Sequence, residues 1–183
     1  MFTLYKHELK INMKSLLIWA ICVGGMCFTC ILLFSTMEDA MADMAESFAA
    51  MGAFSDAFGM SQLSIATLAG FYATEIGTIF ALGGAMYAAI SSTTMLSKEE
   101  DGHTSEFLFT LPVSRGKVVT AKIAAIATNL FLFNVICVGF CVIGFLALGE
   151  HVETKEFILY HGMQFIMQHQ MASICLAISA CVK

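Results

Sequence analysis

The residue types that could do chemistry are concentrated in one segment, Leu96 to Lys122, which reads LSKEEDGHTSEFLFTLPVSRGKVVTAK. It holds several acids, two phenylalanines, and the only proline and the only arginine of the chain. Its SRGKVV stretch lacks the glycine spacing and the hydroxyl of a phosphate-binding loop, and no nucleophile stands at a usable distance from a base. These residues therefore predict a binding segment and no catalytic site.

A short helix is predicted within this segment. Thr104 is a suitable N-cap, and Glu106 lies in the first turn, where a carboxylate is favoured. The helix is expected to last only about two turns, because Leu111 precedes Pro112 and is thereby biased away from helical geometry. Its apolar face consists of Phe107, Leu108, Phe109 and Leu111. An exposed apolar patch of this kind predicts a contact with another protein or with the membrane surface.

A second set of polar residues interrupts stretches that are otherwise apolar. Glu75 stands just before one such stretch, and His161, Gln164 and Gln168 lie within about 60° of one another on a helix of about 3.6 residues per turn. Ionisable groups at membrane depth are costly and avoid lipid. Two interpretations of the histidine and glutamine stripe stay open, a transport pathway and hydrogen bonds between helices. Glu75 is expected either within the outer part of a helix bundle or at the outer interface.

The composition indicates that this protein is embedded in a membrane. Hydrophobic residues make up 58% of the 183 residues and charged residues 13%, with a mean hydropathy of +0.81. An average soluble domain has about 25% charged residues. A lipid-facing protein is therefore predicted.

No metal site and no cofactor are predicted in this chain, and no nucleic-acid partner. The seven cysteines all fall within apolar runs, where a free thiol behaves as a small hydrophobe. The net charge is −5, and the basic cluster that phosphate backbones require is missing.

Four runs without a charged residue are each long enough to cross a bilayer, for which a helix needs about 20 residues. They are residues 15–37, 76–97, 123–149 and 157–182. Only helices satisfy their own backbone polar groups within lipid, apart from closed barrels. The predicted fold is therefore an all-α polytopic transmembrane helix bundle with four spans, forming a single domain.

The segments between the spans are also predicted to contain short amphipathic helices. Residues 1–14 form a basic interfacial helix, residues 38–75 an outer loop with helices, and residues 98–122 a cytoplasmic loop. Eight of the nine basic residues fall on the side of the N-terminus, and Lys155 alone lies opposite. Positive charge near span ends is retained in the cytoplasm, so the N-terminus is predicted to lie inside.

The segment LSKEEDGHTSEFLFTLPVSRGKVVTAK resembles the first cytoplasmic loop of ABC-2 type permeases. In that family a run of the form E…GT-x-E-F-L-x-x-x-P-x-S-R-x-x-x-x-x-K joins the second and third spans. The matching positions here are Glu99 or Glu100, Gly102, Thr104, Glu106, Phe107, Leu108, Pro112, Ser114, Arg115 and Lys122. His103 separates the glycine from the threonine, which departs from the pattern.

The resemblance implies the membrane subunit of an ATP-binding cassette transporter in the cytoplasmic (inner) membrane, with export as the expected direction. ATP and Mg²⁺ would be bound by a separate ATPase subunit, which would dock on a coupling helix in residues 99–117. A second permease copy or a related permease would complete the assembly. The residues implied in partner binding are Glu100, Thr104, Glu106, Phe107, Leu108, Phe109, Pro112 and Arg115.

The family usually has six spans, so four spans imply either that this chain is incomplete at its C-terminus or that it departs from the family pattern. An alternative of another class is a four-span membrane scaffold or assembly protein without an ATPase partner. In that case the helix in the cytoplasmic loop would only anchor the protein to lipid headgroups.

Overall fold

The computed structural model of the chain describes residues 2–53, 65–101, 114–150 and 153–181, and the side chains of residues 96–101 stand outside this description. All regular structure in these ranges is helical. The elements in chain order are α1 (Phe2–Ala49), α2 (Leu68–Phe71), a π-helical turn (Tyr72–Ile76), α3 (Gly77–Asp101), α4 (Arg115–Leu148) and α5 (Thr154–Cys181). The predicted all-α helical bundle is thus confirmed.

Three helices in the described ranges are long and apolar enough to cross a membrane: Phe2–Ala49, Leu68–Met95 and Arg115–Leu148. The fourth predicted span, residues 157–182, corresponds to α5. This helix has 28 residues, which at about 1.5 Å per residue is ample to cross the bilayer core. It is not among the three because its polar side chains, from His161 to Gln170, lower its mean hydropathy.

The first helix continues without a break from Phe2 to Ala49. The sequence predicts an interfacial helix over residues 1–14 and a membrane span over residues 15–37. In the structure, residues 2–37 belong to one continuous helix. At about 1.5 Å per residue its 48 residues extend over about 72 Å, more than twice the bilayer core of about 30 Å. The continuity has a packing reason, because Tyr5 and Leu9 of the N-terminal turns contact the core of the bundle.

The second long helix contains a defect near its start. Thr67 caps α2 through its hydroxyl oxygen, which accepts from the backbone N–H of Gly70 at 3.1 Å. The backbone then widens into the π-helical turn and returns to α-helical geometry at Gly77 (φ −62°, ψ −37°). Because Phe71 and Gly77 both keep right-handed helical dihedrals, α2, the π turn and α3 form one continuous helix.

The long helices associate as two pairs. Helix α1 packs most extensively against α4, and α3 against α5. Helices associate in lipid mainly through close van der Waals packing, and small residues at the contact let the two backbones approach each other. In the first pair, a Cβ on Gly24 would stand 2.6 Å from Phe140 Cδ2, and one on Gly144 would stand 3.0 Å from Ile31 Cδ1. The pairs meet through contacts such as the stacked rings of Tyr87 and Phe133, whose centroids are 4.9 Å apart.

We expect Gly24→Leu to destabilise the bundle by about 1–3 kcal/mol, the usual cost of overpacking. The new side chain would collide with Phe140 and force α1 away from α4. The measurement is the midpoint of unfolding in mixed micelles with increasing sodium dodecyl sulfate. Gly25→Leu is the matched control, because no atom stands within 4 Å of a Cβ built on Gly25. Equal midpoints for the two variants would contradict the packing described here.

Candidate functional site

An ion pair is buried at the end of the bundle where α3 ends and α4 begins. Lys122 of α4 donates from Nζ to Glu8 Oε1 of α1 at 3.0 Å, and their side chains are 1% and 2% exposed. The same ammonium donates to the backbone carbonyl oxygen of Met95 in α3 at 2.7 Å. One side chain thereby joins three helices. Met95 and Lys122 are 27 positions apart in sequence and flank the loop on either side.

Asn12 strengthens this contact from the first helix. Its Nδ2 donates to the backbone carbonyl oxygen of Glu8 at 2.9 Å and approaches the sulfur of Met95 at 3.9 Å. We call Glu8, Asn12, Met95 and Lys122 the basal junction. The fifth helix is fastened to α3 close by, because Ser179 Oγ donates to the carbonyl oxygen of Thr93 at 3.1 Å.

The electrostatics of the basal junction favour a fixed geometry. Removing two charges from water is costly, and their attraction compensates only when geometry and additional hydrogen bonds are good. Lys122 meets that condition with a carboxylate and a carbonyl oxygen, and Glu8 is held at the backbone by Asn12. Removing one partner from a buried pair costs about 3–5 kcal/mol. The three helices are therefore held in one register at this end.

The predicted partner-binding residues lie mostly outside the described residues. These are Thr104, Glu106, Phe107, Leu108, Phe109 and Pro112. Glu100 belongs to the last turns of α3, and its side chain also stands outside the description. Arg115 is the first residue of α4 and is exposed. Ser114 occupies the N-cap position with extended backbone (φ −66°, ψ 144°), although its side chain makes no capping hydrogen bond.

The histidine and glutamine stripe of α5 faces protein. His161 is 8% exposed, and its Nε2 forms a hydrogen bond of 2.7 Å with the hydroxyl of Tyr72 in the π turn. Gln164 Nε2 donates to the hydroxyl of Tyr160, one turn earlier, at 3.0 Å. The π turn thus brings Tyr72 to the outer part of the α3–α5 contact.

Further into the bundle a hydrogen bond connects the two helix pairs. Asn134 Nδ2 of α4 donates to Gln168 Oε1 of α5 at 2.6 Å, and Gln168 is fully buried. Gly84 of α3 lies against the side chain of Gln168 so closely that a Cβ there would overlap its amide nitrogen. Gln168 therefore sits among three helices.

Several buried polar atoms along this contact have no hydrogen-bond partner among the residues that the structure describes. They are Ser92 Oγ, both side-chain heteroatoms of Asn129, Asn134 Oδ1, His161 Nδ1, Gln164 Oε1 and Gln168 Nε2. All belong to α3, α4 and α5, and none to α1. A buried polar group left unpaired costs about 1–3 kcal/mol. The contact of the α3–α5 pair with α4, which we call the polar seam, therefore holds buried polar groups that are only partly hydrogen-bonded within the described ranges.

The remaining sequence candidates do not join these clusters. Glu75 belongs to the π turn and is exposed on the outside of the bundle. Cys27 and Cys30 have the CxxC spacing, and all seven cysteines are free thiols. Within the described ranges no three His, Cys, Asp or Glu side chains converge as metal ligands.

The basal junction was not predicted from sequence. Lys122 was identified only as the last position of the loop pattern, and Glu8 only as part of a basic helix. A sequence signal did exist, since an acid with neighbours Tyr5, Leu9 and Asn12 lies on the side of that helix which carries apolar residues. The partner of Glu8 is 114 positions away, however, and no periodicity points to it.

Long apolar helices with polar side chains turned inward define a polytopic membrane protein. A family model described as "ABC-2 family transporter protein" matches residues 2–183. The chain therefore belongs to the ABC-2 family and is a membrane transport protein of the ABC permease type. No curated protein and no solved structure matches the chain.

We expect the Asn134–Gln168 hydrogen bond to contribute a coupling free energy of about 0.5–1.5 kcal/mol, the range found for hydrogen bonds between membrane helices. The measurement is a double-mutant cycle with Asn134→Ala and Gln168→Ala, followed by unfolding in mixed micelles. Gln170→Ala is the control for Gln168→Ala, because Gln170 is exposed on the same helix. Additive effects of the two substitutions would contradict the bond.

Proposed function

We propose that the chain is the membrane-spanning permease subunit of an ABC exporter, powered by a separate ATPase subunit that docks on the loop of residues 99–117. The observation that carries the proposal is the resemblance of the loop sequence to the first cytoplasmic loop of ABC-2 type permeases, the family to which the chain belongs. The chain has no phosphate-binding loop of its own, so ATP and Mg²⁺ would be bound by the partner.

The lengths of the helices support protein docking over lipid anchoring. Helix α4 has 34 residues, or about 51 Å at about 1.5 Å per residue, whereas the bilayer core is about 30 Å thick. Its first turns, from Arg115 to Lys122, precede the uncharged part of the helix. Helix α3 likewise continues past its apolar part to Asp101. The first turns of α4, about 12 Å long, would extend beyond the inner headgroup layer, so that a soluble subunit could reach the loop.

In the proposed mechanism the ATPase closes on ATP and displaces the loop. The displacement passes into α3 and α4, which are the helices on either side of the loop. The polar seam is the contact best suited to shift, because its polar side chains are incompletely paired with one another and can exchange partners. A second permease copy or a related permease would supply the opposite side of the transport pathway.

The orientation also belongs to this proposal, with the N-terminus and the loop on the cytoplasmic side of the cytoplasmic (inner) membrane. It is supported by the eight basic residues that share one side of the predicted topology. An ATPase hydrolyses cytoplasmic ATP, so the loop must face that compartment.

The orientation predicts how introduced cysteines react in intact cells. In a background with the native cysteines replaced, Lys155→Cys is expected to react with a membrane-impermeant maleimide, and Lys10→Cys only after the cells are opened. Both positions are exposed, so burial does not limit either reaction. Labelling of the Lys10 position in intact cells would contradict the orientation.

The docking loop predicts the composition of the purified complex. The native chain, tagged and extracted from its own cells in gentle detergent, is expected to co-purify with an ATPase subunit. Phe107→Ala together with Glu106→Ala is expected to lose most of that subunit, because an apolar contact and a charged contact are both removed.

The control is Phe131→Ala together with Glu156→Ala, which removes the same two residue types from exposed positions outside the loop. This variant is expected to retain the ATPase. If no ATPase accompanies the native chain, the scaffold alternative replaces the permease proposal. If the ATPase stays with the loop variant, docking takes place elsewhere on the chain.

A further inference from the structure

We infer that Glu8 and Lys122 are positioning residues that make α1 part of the unit moved by the ATPase. The inference rests on the proposed function and deepens it. It assigns the coupling pathway to a helix that the loop pattern does not include, through one buried ion pair between α1 and α4.

The first step is the position of Lys122 relative to the loop. Met95 precedes the proposed docking loop of residues 99–117, and Lys122 follows it. The Lys122 ammonium donates to the Met95 carbonyl oxygen at 2.7 Å. The two ends of the loop are thereby fastened to each other. A force on the loop then moves these two helix ends together and does not simply spread them apart.

The second step is the ionic contact with α1. The Glu8 and Lys122 side chains are 2% and 1% exposed, so water neither screens the pair nor replaces its hydrogen bond. Asn12 adds contacts to the Glu8 backbone and to Met95 from the same helix. Displacement of Lys122 without Glu8 would leave two unpaired charges in a buried site. We therefore expect α1 to follow the loop ends.

The third step is the shape of α1. The helix is continuous to Ala49, and it packs along α4 through Gly24 and Gly144. Its outer turns, residues 38–49, continue the same rod past the uncharged part. A displacement of Glu8 on the cytoplasmic side is therefore carried to the outer end of α1 across the whole thickness of the membrane.

The test is hydrogen–deuterium exchange on the complex of the chain with its co-purified ATPase in lipid nanodiscs. Exchange in residues 38–49 is compared between the nucleotide-free state and the state trapped with MgATP and vanadate. A nucleotide-dependent difference is expected for the native chain. It is expected to be lost in Glu8→Leu combined with Lys122→Met, which replaces the charges by apolar groups that a buried site tolerates.

Two further variants separate a role in positioning from a role in folding. Lys122→Arg keeps a cation that can bond both Glu8 and Met95, and it is expected to retain the difference. Lys10→Leu combined with Lys14→Met removes two exposed charges of α1 and is expected to behave as the native chain. If the apolar pair does not assemble, Glu8→Gln serves in its place, since it keeps the acceptor oxygen and removes the charge; a reduced difference is expected.

The outcomes separate this inference from the proposed function. A native-sized difference in the apolar pair, or in Glu8→Gln where the pair does not assemble, overturns the role of the ion pair and leaves ATPase docking intact. Absence of the difference from the native complex also overturns the inference. Absence of an ATPase from the native preparation overturns the proposed function, and the inference with it. The inference is supported if the Glu8→Leu, Lys122→Met variant loses the nucleotide-dependent difference in exchange while its ATPase content is unchanged, and if Lys122→Arg keeps that difference.

Discussion

An ammonium group in the interior of a membrane protein must have its hydrogen-bond partners within reach, and the arrangement of the basal junction follows from that constraint. Lys122 is almost fully buried, so α1 must present a carboxylate and α3 a carbonyl oxygen at the same point. The basal junction thereby fixes the relative register of α1, α3 and α4 at this end of the bundle. The pairing of α1 with α4 then extends this register along the membrane through glycine contacts.

The hydrogen bonding within the bundle differs from one helix contact to another. The α1–α4 contact is mainly apolar, with small residues and thiols such as Cys137, whose sulfur lies 3.7 Å from the carbonyl oxygen of Ala20. The polar seam has amide, hydroxyl and imidazole groups that satisfy one another only in part. Contacts of the first kind are stabilised by close packing, whereas the partly paired polar groups of the second kind contribute less to stability, because each buried polar group without a partner costs free energy.

The sequence was sufficient to predict the helical class, because uncharged runs of 20 residues and more have few alternatives in lipid. It also predicted that the stripe of His161, Gln164 and Gln168 faces protein or water and not lipid, but it left open whether these residues line a pathway or only bond to other helices. Continuity between the N-terminal turns and the first span was not predictable, because the lysines of residues 1–14 resemble those of an interfacial helix. The π turn was not predictable either, because no residue type requires it. The Glu8–Lys122 pair was not predictable because it depends on a tertiary contact between positions far apart in sequence.

The π turn at Tyr72–Ile76 has a consequence for how the chain could tolerate insertions and deletions. A π turn holds one residue more than an α-helical turn, and one residue corresponds to a rotation of about 100°. Loss of a single residue here would restore a regular helix, and because the turn already absorbs the extra residue, the helix on either side would keep its present rotation. Loss of a residue elsewhere in this helix would instead rotate one side by about 100° relative to the other. The turn is therefore the place in the second long helix where a change of one residue in chain length disturbs the packing least.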